Sequence, residues 1–431
     1  MWRRRWQTVR APPVPTLWRP ERTPVTSTSR SLAFWPPRTV RRRWCEYGCA
    51  VSPRRPPVRA VARRSERGMT RRQLSAGDIA HLCTGAMFVA PTIEHASCLQ
   101  YRDMAVELLE RDDRRPVLAT VDDLPATALT ASIGFVNKGL MVAEMIPVGD
   151  EFVTALGLLE QRLEVRLEGI FPLAAASVNA MVPVYVALQT GLPLMDADPM
   201  GRVFPLVHQT TLALGGLSAG PIGLTGPTGE TAVLDVSAPA RAERLVRAMA
   251  AELGGWSATA SYPVSASQLQ QYGVLGSVSR LIDIGRILNS PQHTQEKYAA
   301  LTRLLGMKKV IRARVAEVEG LSRPSIPGMP DSPSSVTLVD EAQGRIVRLE
   351  IQNEILMMLV DGAVHAVMPD IITMVRPEDA SVASLEDLWV GNKLDLMSFR
   401  AAAPWYTPEG RALVEPMAVR IVGRARGGRS A

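Results

Sequence analysis

The sequence predicts two α/β domains, the first built on a mixed sheet and the second β-rich in its latter half. Three observations carry that reading. From Ser75 onward, apolar residues alternate between helical and strand spacing. Beyond Val310, β-branched residues dominate a series of short runs. Of the 431 residues 46% are apolar, enough to fill two cores of ordinary size.

Residues 1 to 68 stand apart. They hold 17 Arg against 3 Glu, a charge of +14, so the rest of the chain carries −7 of the total +7. Clusters such as Arg41-Arg42-Arg43-Trp44, broken by Pro36, Pro37, Pro56 and Pro57, have no helical or strand period and read as a disordered extension lying upstream of a start at Met69. The mildly acidic remainder argues against a nucleic-acid partner. No apolar run approaches the roughly 18 residues a bilayer crossing needs, so no membrane partner is expected. Four cysteines in the first quarter of the chain fit a reducing, cytoplasmic setting. A first domain over 69–237, a second over 238–422 and a basic tail over 423–431 follow, with the linker at Ser237-Ala238-Pro239.

Element by element, Ser75 or Asp78 caps a first helix and Leu99 to Glu110 forms a second. Pro116 to Val121 is a short buried strand. The runs Leu129 to Val136 and Leu140 to Met145 flank the turn Asn137-Lys138-Gly139. Asp150 precedes Phe152, Leu156, Leu159 and Leu163 at helical spacing. A further helix from about Asn179 ends at Gly191, whose lack of a side chain suits a left-handed C-terminal position. The strand Leu192 to Met195 then runs into Asp196-Ala197-Asp198, and Gly220 to Gly229 reads as a flexible Gly/Pro-rich connector. Past the linker come a helix over Arg241 to Leu253, a strand over Ser257 to Val264 and more helix to about Leu305. Strands follow at Val310 to Val318, Val336 to Val339, Ile346 to Ile351, Ala363 to Val367 and Ile371 to Val375, the first two divided by the proline-rich loop Leu321 to Ser335. A helical layer on a mainly antiparallel sheet accounts for this order.

Chemistry concentrates between Asn179 and Thr211. Residues just past a strand's C-terminal end face the ligand crevice of an open α/β sheet, which places Asp196 and Asp198 at its mouth. Carboxylates two apart on extended chain point the same way and suit a divalent ion or an activated water. Alternatively, Asp198 before Pro199 is an ordinary helix start. Arg202 has the fork geometry to hold a substrate carboxylate. Asn353, Glu354 and Asp370 follow apolar strands and are candidates to reach the same cleft, against the plainer reading of strand-end turns. His81, Cys83, His95 and Cys98 are metal-capable but poorly spaced on a helix for one zinc ion, and His208 is a further candidate base.

The ordered pieces Asn179-x3-Pro183, Gly191-Leu192-Pro193, Asp196-Ala197-Asp198 and Met200-Gly201-Arg202-x-Phe204-Pro205 resemble the central signature of the hydantoinase-like S-methyl thiohydantoin desulfurase family. Gln352-Asn353-Glu354-Ile355-Leu356, Val367-Met368-Pro369-Asp370-Ile371-Ile372, Ala403-Pro404-Trp405-Tyr406-Thr407 and Glu415-Pro416 extend the resemblance from about Leu74 to Val422. It implies hydrolytic attack on a small thiohydantoin or hydantoin-like ring in an interdomain cleft. Asp196 and Asp198 would activate water, with or without a divalent metal. Asn179 and Asn353 would stabilise the developing anion, and Arg202 would hold the carboxylate tail, with Glu354 and Asp370 beside it.

Three departures from the family pattern point to altered activity. A glycine-rich stretch is replaced by Thr84-Gly85-Ala86-Met87-Phe88-Val89-Ala90-Pro91. Glu-x-Gly-Gly is replaced by Ala174-Ala175-Ala176-Ser177-Val178, and Phe-Pro-Glu by Phe204-Pro205-Leu206. The alternative expectation is therefore a catalytically impaired relative that binds a small ligand or a protein partner. A small-molecule substrate is the expected partner, with homo-oligomer formation left open.

Overall fold

A computed structural model describes residues 71–414 apart from 93–94, 113, 137–144, 146, 321–333 and 353. The basic extension, the Asn137-Lys138-Gly139 turn, the run from Leu140 to Glu144, residues 321–333 of the proline-rich loop, Asn353, Glu415-Pro416 and the basic tail lie outside these residues. All described residues belong to one compact unit, Glu66–Ala431.

The first sheet has eight strands. Strands β2 (Val117–Ala119), β3 (Leu129–Val136), β4 (Gly169–Pro172) and β5 (Leu194–Met195) form its parallel half in the order β2-β5-β4-β3. β1 (Arg72–Gln73) pairs antiparallel on the outer edge of β2. On the other side, β9 (Ser257–Ser265) pairs antiparallel with β3, and β7 (Ile222–Thr225) and β8 (Thr231–Leu234) complete the order β9-β7-β8. Thus β9, from beyond the linker region, is an inner strand of the first sheet. Nothing local marks this, because its β3 partner lies more than a hundred residues upstream.

Capping follows the local chemistry. Ser75 and Asp78 make a reciprocal capping box on α1 (Ala76–Val89). Helix α3 (Glu151–Leu163) starts after Asp150 as predicted, but Asp150 makes no cap bond. Glu151 accepts instead from the amides of Val148 at 2.6 Å and Gly149 at 3.0 Å. Helix α4 (Ser177–Thr190) ends on Gly191 at φ 74°. The stretch from Gly220 to Gly229 is a correction: it is ordered chain containing β7 and the turn into β8. Gly223 sits there because a Cβ would lie 2.2 Å from the carbonyl oxygen of Ala155 on α3. The glycine serves close packing, a purpose that local composition does not distinguish from flexibility.

After α6 (Pro239–Glu252) and α7 (Ala266–Tyr272), α8 (Ser277–Leu288) crosses α1 with the backbones almost touching. A Cβ on Gly285 would stand 1.8 Å from the His81 carbonyl oxygen, and one on Gly85 2.0 Å from that of Leu281. The helical layer of the second half is therefore shared: α8 and α9 (Thr294–Leu305) contribute Leu281, Ile282, Ile284 and Leu301 to the same core as α1 and α4.

The second sheet is antiparallel throughout, in the order β15-β14-β13-β12-β11-β17-β16. Its strands are β11 (Ile311–Glu319), β12 (Ser334–Asp340), β13 (Ile346–Ile351), β14 (Ile355–Val360), β15 (Ala363–Val367), β16 (Ile371–Val375) and β17 (Lys393–Phe399). Ile311, Ala313 and Val315 are buried and alternate with exposed Arg312 and Arg314, the period-2 pattern of a sheet with one wet face. β16 is buried along its whole length because α1 covers it. Phe88 stacks on Phe399 with centroids 6.1 Å apart, and the Thr373 hydroxyl donates to the Phe88 carbonyl. Bulky residues at a departure from the family signature thus build the joint between the sheets.

Candidate functional site

Asp196 and Asp198 emerge from the C-terminal end of β5, where the parallel half of the sheet opens. Their carboxylates go to different places. Asp196 accepts from the Ser279 amide at 2.9 Å and the Ser279 hydroxyl at 2.6 Å, so it caps the start of α8. Asp198 belongs to the two-residue strand β6 (Ala197–Asp198), which pairs with β10 (Val274–Leu275). Its side chain is fully buried, and Oδ2 accepts from the amides of Ala175 at 2.9 Å, Met200 at 2.9 Å and Gly201 at 2.7 Å. No helix follows Pro199, so Asp198 pins a turn to the β4–α4 loop rather than capping a helix.

Oδ1 of Asp198 has no partner at hydrogen-bonding geometry, and neither has the buried Ser277 hydroxyl. Burial raises the pKa of Asp198 above the ordinary 3.8; the three amides and the nearby Ser277 hydroxyl pull it back only in part. A carboxyl of this kind holds a proton closer to neutrality than a surface aspartate and has one oxygen left for chemistry.

Beside it lies a cavity of about 40 Å³. Its lining includes Ala175, Gly201, Ser277 and Arg280 together with the apolar Val89, Leu281, Ile284 and Phe399. Two of these, Ala175 and Gly201, supply the amides that hold Asp198. Arg280 makes no side-chain hydrogen bond or ion pair among the described residues. It is exposed by area, yet partial desolvation lowers its guanidinium pKa from the ordinary value.

Arg202 is spent elsewhere. Only 1% exposed, it donates to Glu354, to the carbonyls of Pro369 at 2.6 Å and Asp370 at 3.0 Å, and to that of Val203 at 3.1 Å. Its Cζ also lies 4.7 Å from the centre of the Phe204 ring. Burial raises the pKa of Glu354 while Arg202 opposes the rise; Glu354 Oε1 has no partner. Asp370 accepts from the Tyr406 hydroxyl at 2.6 Å and from Lys308 at 3.3 Å, and burial together with Asp370 pushes the Tyr406 phenol up to about 12. The structure therefore brings Arg202, Glu354 and Asp370 into one joint, outside the cavity lining. Asn179 accepts from the Phe135 amide at 2.7 Å, tying α4 to the end of β3.

The metal-capable residues disperse. Cys83 and Cys98 are buried and not joined in a disulfide, with sulfurs 3.5 Å apart. His81 contacts Asn289, and His95 the Ala90 carbonyl. Burial lowers the pKa of His208, whose Nδ1 lacks a partner. No three His, Cys, Asp or Glu side chains among the described residues converge into a metal-binding group. Sequence reasoning missed Ser277 and Arg280. The available signal was an arginine in the first turn of a helix, where the positive end of the helix dipole disfavours a cation.

A two-sheet α/β protein with a crevice at the C-terminal edge of its parallel strands is the class defined by these features. The chain belongs to the S-Me-THD-like family: the family's N-terminal domain matches residues 77–236 and its C-terminal domain residues 237–420. The crystal structure of a protein from Chromobacterium violaceum is similar to it, with a TM-score of 0.65 and 20% identity over 81% of this chain and 97% of that one. At that identity the likeness shows the fold. No curated protein matches the chain. No described helix is long and apolar enough to cross a membrane.

Proposed function

We propose that this S-Me-THD-like protein takes a small thiohydantoin or hydantoin-like ring into the crevice beside Asp198 and attacks it hydrolytically. The observation that carries this reading is Asp198 itself: fully buried, held through one oxygen by three amides, and unpaired at the other. Such a group is oriented without being used up, which is what proton transfer requires. Water adds to the ring carbon bearing the S-methyl group, and Asp198 takes the water's proton. The proton then passes to the sulfur as the C–S bond breaks, leaving a ring carbonyl and methanethiol. Ser277 supports this by placing a hydroxyl beside both Asp198 and the crevice. A cytoplasmic, reducing location is part of the proposal, in keeping with Cys83 and Cys98 lying close together without a disulfide. The test is to incubate the full chain with an S-methyl thiohydantoin acid, with and without divalent metals, and follow methanethiol. Release that depends on Asp198 is expected; silence with this compound and with a panel of hydantoins overturns the hydrolytic reading.

One observation favours a second reading, ligand binding without turnover. The cavity of about 40 Å³ is far below the roughly 300 Å³ or more of a typical ligand site. A ring enters only if lining side chains such as Val274, Leu275 and Arg280 move. Calorimetric binding of a hydantoin without product release is the expected outcome under this reading.

A further inference from the structure

We infer that Cys83 and Cys98 form a redox clasp: a peroxide closes them into a disulfide between α1 and α2 (His95–Arg111), and a thiol reductant reopens it. The inference is independent of the chemistry proposed for the crevice. Three observations carry it. The described residues hold two cysteines, and their sulfurs are in contact at 3.5 Å on neighbouring helices. Cys98 Sγ also lies 4.0 Å from the Cys83 carbonyl oxygen, so it sits against that turn of α1. Both side chains are buried in the core that α1 and α2 share with Tyr101 and Ala105. As plain packing, a cysteine is a small apolar filler with no reason to take another cysteine as its neighbour. A pair in contact has a chemistry that neither thiol has alone.

The sulfurs need only close from 3.5 Å to about 2.0 Å to bond. One thiol attacks an oxygen of hydrogen peroxide, the O–O bond breaks, and a sulfenic acid and one water form. The second sulfur then attacks the sulfenic sulfur; the S–O bond breaks and a second water leaves with the remaining thiol proton. Two thiols and one peroxide thus give one disulfide and two waters, the thiols losing two electrons. Because the resolving thiol is already in contact, oxidation stops at the disulfide instead of climbing to the sulfinic acid. Burial excludes bulky disulfide oxidants, whereas hydrogen peroxide is neutral, little larger than water, and reaches the core through local opening. In a reducing compartment such a pair rests open and closes transiently. The bond ties α2 to the helix that lines the crevice with Val89 and meets the second sheet through Phe88.

The experiment treats the reduced full chain with hydrogen peroxide, alkylates it under denaturing conditions and maps it by mass spectrometry after trypsin. Trypsin releases residues 73–102 as one peptide, which contains Cys83 and Cys98 and no other cysteine. This peptide should lose two hydrogens and resist alkylation, and dithiothreitol should restore both thiols. Thermal unfolding is followed on the same samples. The closed pair should raise the midpoint by about 3–5 °C, the size expected for a bridge of this loop length in a chain of this size, and Cys98→Ala should show no such rise. Thiols that stay fully alkylatable after peroxide overturn the clasp. So does peroxide that adds oxygen to either cysteine without linking the two, links them to Cys45 or Cys49, or links them only in urea. A bond that fails to raise the midpoint, or an equal rise in Cys98→Ala, overturns it as well.

Discussion

Asp198 and Arg202 lie four residues apart in one motif, both buried, and the structure uses them in opposite ways. Arg202 reaches across to Glu354, 152 residues on, and to the carbonyls of Pro369 and Asp370, so its bonding capacity is consumed in joining the first sheet's loops to the second sheet. Asp198 is held as firmly, but by backbone amides on one oxygen only, with the other unpaired near the crevice. Burial alone does not separate a structural ion from a reactive one. The residual valence does, together with what lies beside it.

The contrast can be broken most decisively at Asp198. Asp198→Asn keeps an acceptor for the three amides and can offer its new N–H to Ser277. Stability should stay within about 1 kcal/mol, while methanethiol release falls by about 10²-fold or more. Equal losses of stability and turnover, read by urea titration beside the assay, would make Asp198 merely structural. At the other site, Arg202→Met strands the Glu354 carboxylate in a dry joint and should cost about 3–5 kcal/mol. The Arg202→Met/Glu354→Leu double variant should recover most of that loss in the same titration. A single variant as stable as the double one removes the distinction drawn between the two sites.

Smaller effects sharpen the comparison. Asp196→Ala removes the bonds to Ser279 and should cost about 1 kcal/mol, the usual size for a lost helix cap, with unchanged turnover per folded molecule. The pH dependence follows from the sign of the Asp198 shift. Its folded pKa lies above the ordinary 3.8, so its stability contribution is complete below that value and is lost as pH rises through the folded pKa. Glu354 is shifted in the same direction. The decline particular to Asp198 is therefore the difference between wild type and Asp198→Asn in urea midpoints measured over about pH 4 to 7. Parallel profiles would mean that Asp198 is not the group titrating.

Much of this architecture is written locally. Ser75 with Asp78, Phe152 to Leu163 at helical spacing, and Gly191 at a left-handed helix end are short-range patterns, and each sits where backbone chemistry alone would put it. The alternation in β11 and the ordered motifs from Asn179 to Tyr406 were legible for the same reason, and with them the family. Tertiary structure decided the rest. It placed β9 inside the first sheet, turned the Gly220 to Gly229 stretch into strand and turn against α3, and matched Arg202 to Glu354. It also set Arg280 and Ser277, ordinary residues of an amphipathic helix, around one cavity with Ala175 and Gly201. Caps and periods involve groups a few residues apart and leave a mark in sequence. Whether a buried charge has already met its partner depends on groups a hundred or more residues away, and only the folded chain brings them together.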